Sequence, residues 1–536
     1  MVSFKNLVPV TFLLAVGVAG CGGDRSKEQP ANIIASLALS DHAVFIDQAN
    51  DRAFLLDVGA SPNPSSKVLG LPKRPLLAQR RLSPTVLDPN ATDPDEVLVL
   101  SAGDVDSSEI GPSIAVLKKD QVARTYPLPA PFDSIVQSPD GRYVVAKFGQ
   151  DNSPNRLLFN RNETAIIDLT QPPEEGKNPV DRTIRGFGDP PKRILFSPPM
   201  TINGEARQLA LVLFKQVVAI LDLNHLDRPE FTIELGANAP DAPAIDLEQV
   251  LFDTNENKIY LRGTASTDIY VVQLAARDAV VDASKNDFVP SLNQLGGGAQ
   301  LKDMALYGAE ADRRLLVAAG GNALVIDADS NRVTTVPLPA AATNMLVFRG
   351  RSPQVDTVDT RALLYSEGSS DVVFLDLGQI EDRKARNAER LKVSPYEKVI
   401  PLGKALGGTD TDNLVMLLHS GTLGASILNL DLRTVSRIST QVDLEGGLPD
   451  PFLNRVWVAP RSQDKLGFVE LDPNKIQPTE VRLDYPVSDL LLFTQGTQKR
   501  VLVTHPSSIG RATLLEANAL RDVKQAIVLE GYLLGE

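Results

Sequence analysis

From Ile33 onward, short apolar runs alternate with polar breaks. Four to eight residues rich in Val, Ile and Leu are followed by Gly, Pro, Asn or Asp, and the cycle repeats. Runs of that length bounded by turn formers read as β-strands. A longer period lies over the short one. An apolar run closed by an acid appears at Phe54-Leu55-Leu56-Asp57 and returns at Ile166-Ile167-Asp168, Ile220-Leu221-Asp222 and Val325-Ile326-Asp327. It recurs at Phe374-Leu375-Asp376, Leu430-Asp431, Leu471-Asp472 and Leu514-Leu515-Glu516. Degenerate copies at Ile114–Leu117 and Tyr270–Leu274 fill the two widest gaps, leaving a period of about 50 residues.

One unit parses into strands at Lys302–Tyr307, Arg314–Ala318, Asn322–Asp327 and Arg332–Val336. Four strands in a unit of this size make a β-propeller blade, which covers its faces by stacking on its neighbours. The fold class expected is therefore all-β, a propeller of roughly 7–10 units over residues 33–536, as one ring or two smaller ones. The recurrent acid closes the third strand, where its carboxylate can accept turn amides. Pairing of a strand near Ala35–Ser40 with Ala526–Leu529 is expected to close the ring and hide an edge. One stretch departs from the pattern. Gln379–Lys392 has strong helix formers, many charges and no Gly or Pro, and reads as a short helical insertion. It is either a solvated cap or a docking handle presenting Arg383, Lys384, Arg386 and Arg390.

The first residues follow a different rule. A cationic start with Lys5, an apolar run from Leu7 to Gly20 and small residues before Cys21 make a secretory signal. The run is too short to span a bilayer, which needs about 20 residues. Val18-Ala19-Gly20-Cys21 resembles the lipobox of bacterial lipoproteins. That resemblance implies cleavage after Gly20, acylation of Cys21 and attachment to a membrane through lipid. Residues 1–20 are then the signal, and 21–32, polar and without apolar periodicity, a flexible tether. Gly22 follows the Cys, and the resemblance favours the outer membrane, on its periplasmic face or at the cell surface. Ser138-Pro139-Asp140-Gly141-Arg142-Tyr143-Val144-Val145-Ala146 resembles the turn of TolB-like and YVTN-type propeller repeats, which supports the fold without specifying an activity.

Composition narrows the chemistry. Lys and Arg number 54 against 67 Asp and Glu, for a net charge of −13. That balance argues against nucleic acid, where affinity rests on phosphate neutralisation by basic groups. A single Cys excludes an internal disulfide and multi-cysteine metal sites. His42, His225, His419 and His505 lie far apart in sequence, and no nucleophile elbow or phosphate loop is present. No cofactor is expected, calcium being the one candidate. Asp88, Asn90, Asp93 and Asp95 gather oxygen ligands in one loop, and Asp327-Ala328-Asp329 opens like an EF-hand, yet neither has the loop's Gly and Glu. One Trp argues against repeats that carry a Trp in each blade.

The reading that results is a lipid-anchored envelope propeller, non-catalytic, that binds envelope proteins as scaffold or assembly factor. It resembles in outline the propeller scaffold of the outer-membrane β-barrel assembly machinery, without that protein's repeat motif. Two alternatives stand beside it: a metal-dependent hydrolase of lactonase type, and a channel that binds a small ligand or polysaccharide.

Overall fold

In a computed structural model, residues 30–534 are described apart from short stretches between strands, the longer ones being 150–159, 236–244, 278–284, 381–387, 403–412, 440–447 and 517–525. The chain forms ten blades of four antiparallel strands in one ring. The strands of each blade are hydrogen-bonded in chain order from the axis outward, consecutive except in blade 4, where a separate hairpin intervenes between the first and second. We number them 1 to 10, over residues 33–70, 75–127, 134–183, 193–234, 247–296, 303–342, 344–392, 396–439, 448–482 and 489–530. Blade 6 takes its two middle strands from one run, Arg314–Asp327, which pairs inward through Arg314–Ala318 and outward from Gly320 on. Those halves are the strands read from sequence.

The middle strands explain the apolar runs. Residues such as Val97–Leu100, Val144–Ala146 and Leu209–Leu213 are buried throughout, because both faces of the blade meet a neighbour. Each of the ten junctions holds its own apolar cluster. The cluster of blades 1 and 10 joins Phe45, Phe54 and Leu56 to Leu491, Phe493, Leu514 and Tyr532. Ten junctions for ten blades close the circle, so packing completes the ring. The expected strand exchange is not found. Ile33–Ala38 is the inner strand of blade 1 and Ile527–Glu530 the outer strand of blade 10, each paired within its own blade.

The helical reading of Gln379–Lys392 is corrected where the structure describes it. Ala388–Lys392 is the outer strand of blade 7, paired with Asp371–Leu375. Helix propensity yields there to the unpaired edge of the third strand, which gains a ladder of hydrogen bonds. Residues 381–387, with Arg383, Lys384 and Arg386, lie outside the described residues. No helix among the described residues is long and apolar enough to cross a membrane.

Alternation of strand direction gives the ring two unlike faces. The first-to-second and third-to-fourth turns emerge on one, here the turn face. The second-to-third turns and the links between blades emerge on the other, the return face.

Candidate functional site

The turn face is where the recurrent acids sit. Asp57 accepts the Gly59 amide at 2.9 Å, Asp168 the Thr170 amide at 2.9 Å and Asp222 the Asn224 amide at 3.0 Å. Asp327 accepts from the Ser330 amide and hydroxyl, both at 2.7 Å. These are Asx turns, a structural task, as the sequence pattern anticipated. In blade 8 Asn429 takes the role, two residues before the acid read from sequence, accepting the Asp431 and Leu432 amides. The acid-closed loop at Asp327 is thus an exposed hairpin turn.

A second set of residues on this face was missed in the sequence. An arginine at or just before the point where the second strand begins to pair with the third meets the acid of the third: Arg142–Asp168, Arg207–Asp222, Arg361–Asp376, Arg455–Glu470 and Arg500–Glu516. The signal was present as an Arg about fifteen residues before the acid in most of these blades. Antiparallel pairing across one hairpin returns the chain to its start over that distance. The loop between Ser138 and Tyr143 shows how tightly the face is built. Gly141 has φ +65, and a Cβ there would stand 1.9 Å from the Leu82 carbonyl oxygen of blade 2. Only glycine fits both demands.

Two clusters on this face carry chemistry beyond turn building. At the junction of blades 1 and 2, Asp41 meets His42 Nδ1 at 2.5 Å and accepts a bond from Lys119. Burial pushes the Asp41 carboxyl up, and its bonds from Lys119 and His42 outweigh that, leaving it below the usual carboxylate range. The carboxylate can only accept, so Nδ1 donates to it, and in the neutral ring Nε2 is the acceptor. Nε2 has no hydrogen-bond partner among the described residues. The second cluster joins blades 4 and 5. An extra hairpin, Met200–Ile202 with Glu205–Arg207, is inserted before the second strand of blade 4. Buried Arg207 donates to Asp222 at 3.0 Å, to Asp287 at 2.5 and 2.6 Å and to Glu205 at 2.6 Å. Its guanidinium holds the Asp287 carboxyl below the usual range, whereas burial pushes Asp222 up. His225 approaches Glu205 at 3.5 Å. This cluster latches one blade to the next.

The return face spends its polar groups on fastening. His419 and His505 end the second strands of blades 8 and 10. His419 uses Nδ1 toward the Pro395 carbonyl and Nε2 toward the Ser426 hydroxyl, at 3.0 and 2.7 Å. His505 repeats the arrangement with Pro486 and Thr513, at 2.8 and 2.7 Å. In blade 1 the same position is Asp47, fully buried, which accepts from the Asn32 and Ala49 amides, Asn50 and Arg52. Each of these side chains ties down the residue that enters the first strand.

The remaining sequence candidates are placed as follows. Asp93 and Asp95 share Arg80 at 3.2 Å each, and Asp95 also accepts the Ser40 amide of blade 1 at 2.8 Å. Asp88 and Asn90 lie outside the described residues, as do Gly20 and Cys21. Arg390 forms a two-point pair with Asp371 on its own blade, at 2.6 and 2.8 Å. The basic pieces Lys73-Arg74 and Arg80-Arg81 face acids, with Lys73 on Asp51 and Arg81 on Glu96. Trp457 is fully buried between blades 9 and 10 against Phe468. No group of three or more His, Cys, Asp or Glu among the described residues could hold a metal ion.

Amide side chains seal the inner rim. Gln137 accepts the Leu82 amide and donates to the Arg80 carbonyl of blade 2. Gln249 does the same to both backbone groups of Met304 in blade 6. A primary amide mimics a peptide group, so inner strands without a common sheet still satisfy their edges.

No family model matches this chain, and no curated protein matches it. Solved structures similar to it include the dihydro-heme d1 dehydrogenase NirN in complex with DHE, at 11% identity and a TM-score of 0.38, over 85% of this chain and 78% of that one. A eukaryotic initiation factor aligns at 9% identity and a TM-score of 0.40, over 77% and 89%. A putative 6-phosphogluconolactonase from Bacteroides fragilis NCTC 9343 aligns at 11% identity and a TM-score of 0.30, over 74% and 98%.

Proposed function

We propose that this protein is a lipid-anchored envelope propeller, held through Cys21 at the outer membrane, that binds envelope proteins on its turn face as a scaffold or assembly factor. The observation that carries the reading is where the tether joins the ring. Asn32 enters the inner strand of blade 1 from the return face, fixed there by Asp47 and by the Gln48 amide. Residues 22–32 reach at most about 3.5 Å each when extended. A lipid on Cys21 therefore keeps the return face toward the bilayer and leaves the turn face, with its charged pairs, open to partners. Rigidity supports the same reading, since every junction is packed and several are latched across blades.

The test is metabolic labelling with an alkyne fatty acid, followed by capture from gently solubilised envelopes after cross-linking in cells. Label on the parent chain, its loss in Cys21→Ala, and a stoichiometric envelope partner absent from a lipoprotein control are expected. Label that persists in Cys21→Ala would sink the anchor, and no enrichment over the control would sink the scaffold.

The Asp41–His42 pair supports a second reading, hydrolysis with His42 Nε2 as general base. Turnover of a lactone and ester panel that His42→Gln abolishes would favour it over the scaffold.

A further inference from the structure

The outer strands of the ten blades are sheet edges, and an unprotected edge pairs with another strand. Eight of the ten carry charge within the strand: Lys67, Arg124, Asp181 and Arg182, Glu234, Glu389 and Arg390, Arg437, Lys475 and Glu480, and Glu530. Only blades 5 and 6 have uncharged outer strands, Phe288–Gly296 and Val333–Ala342.

Proline separates these two. In blade 6, Pro337 and Pro339 stand two residues apart near the middle of the edge, where their missing N–H groups would point outward. In blade 5 the Leu274 amide turns inward to the Asn257 carbonyl, so its partner Pro290 faces outward. Alternation then turns the N–H and C=O of Leu292, Gln294 and Gly296 outward as well, with no proline among them. Residues 291–294 are exposed, and Leu292 is 38% accessible. The strand inside this one, Asp268–Ala276, adds a single charge, Asp268, which Gln294 covers at 2.8 Å.

We infer that two copies of this chain associate by antiparallel pairing of Leu292–Gly296 about a two-fold axis at Gln294. The edge is self-complementary in that register. Gln294 faces its own copy, and Leu292 faces Gly296, which has no side chain to collide with it. Three outward N–H groups from each copy find carbonyls on the other. Charge selects the same place: two copies of net charge −13 repel, and this edge brings no like charges together. The pairing is independent of the anchor and of any envelope partner.

Because Cys21 is the only cysteine, the register can be read directly. Facing residues of a hydrogen-bonded antiparallel pair lie about 5.5 Å apart between Cα atoms, within disulfide reach. In a Cys21→Ser background, Gln294→Cys is expected to give an oxidised dimer, and Leu292→Cys, opposite Gly296, several-fold less. Light scattering on the otherwise unmodified Cys21→Ser chain should give the dimer mass, with association tightening as salt screens the repulsion. Gln294→Pro, at a position with the same outward backbone as Pro290, should return the monomer mass with the same circular dichroism. A monomer at every concentration in the unblocked chain, or equal oxidation at both cysteine positions, would overturn the pairing.

Discussion

Asp47 and Asp57 close the two ends of the Asp47–Asp57 span in blade 1, and their surroundings differ. Asp47, on the return face, is fully buried and accepts from two amides, an Asn and an Arg. Asp57, on the turn face, is half-buried and, among the described residues, accepts the Gly59 amide. The histidines divide in the same way. His505 commits both ring nitrogens to its own blade, whereas His42 commits one. Polar groups on the return face hold the strand entries in place. Those on the turn face build turns and keep capacity for something else.

The largest way to break this division is at a turn-face cluster that also fastens, the one around Arg207. Arg207→Leu leaves buried Asp222 without its ion-pair partner and Asp287 with Arg228 alone, and should cost about 3–5 kcal/mol, read as the midpoint shift in urea unfolding. Next comes the Asp pair itself. Asp47→Ala removes the acceptor shared by the Asn32 and Ala49 amides, Asn50 and Arg52 and should cost about 2–4 kcal/mol, against about 0.5–1 kcal/mol for Asp57→Ala. Equal losses would erase the difference between the faces.

Much of this fold was legible because propeller strands obey a simple rule: middle strands buried on both faces read as unbroken apolar runs, as at Val97–Leu100 and Leu209–Leu213. The Asx role of Asp57, Asp168, Asp222 and Asp327 was legible too, since it is local. What the letters hid was non-local. The arginine partners of Asp168 and Asp222 sit a hairpin away, and Asp41 reaches Lys119 of another blade. Gln379–Lys392 misled for a related reason, since the pairing of Ala388–Lys392 with Asp371–Leu375 overrode local helix propensity.

The histidines sharpen the comparison at smaller scale. His505→Leu leaves the Thr513 hydroxyl and Pro486 carbonyl unpaired and should cost about 1–3 kcal/mol, while His42→Leu should cost about 1 kcal/mol. Acid gives the mildest effect and a definite sign. Burial, with Arg511 adding to it, holds the His505 pKa below its usual 6.5 in the folded chain. The unfolded state therefore takes up the proton first, and stability falls as pH drops below about 6.5 toward the folded value. His505→Gln should flatten that slope in unfolding curves taken from pH 7 to 5.

In the proposed arrangement the return face meets the membrane and the turn face meets partners. Photo-activatable side chains placed in cells at Asp120, in a turn-face hairpin, and at Ser508, in a return-face turn, test it most directly. Both positions are exposed, so each will report what lies against it. Discrete protein adducts are expected from Asp120 and none from Ser508 beyond a lipoprotein control. Protein adducts from Ser508, with none from Asp120, would contradict it.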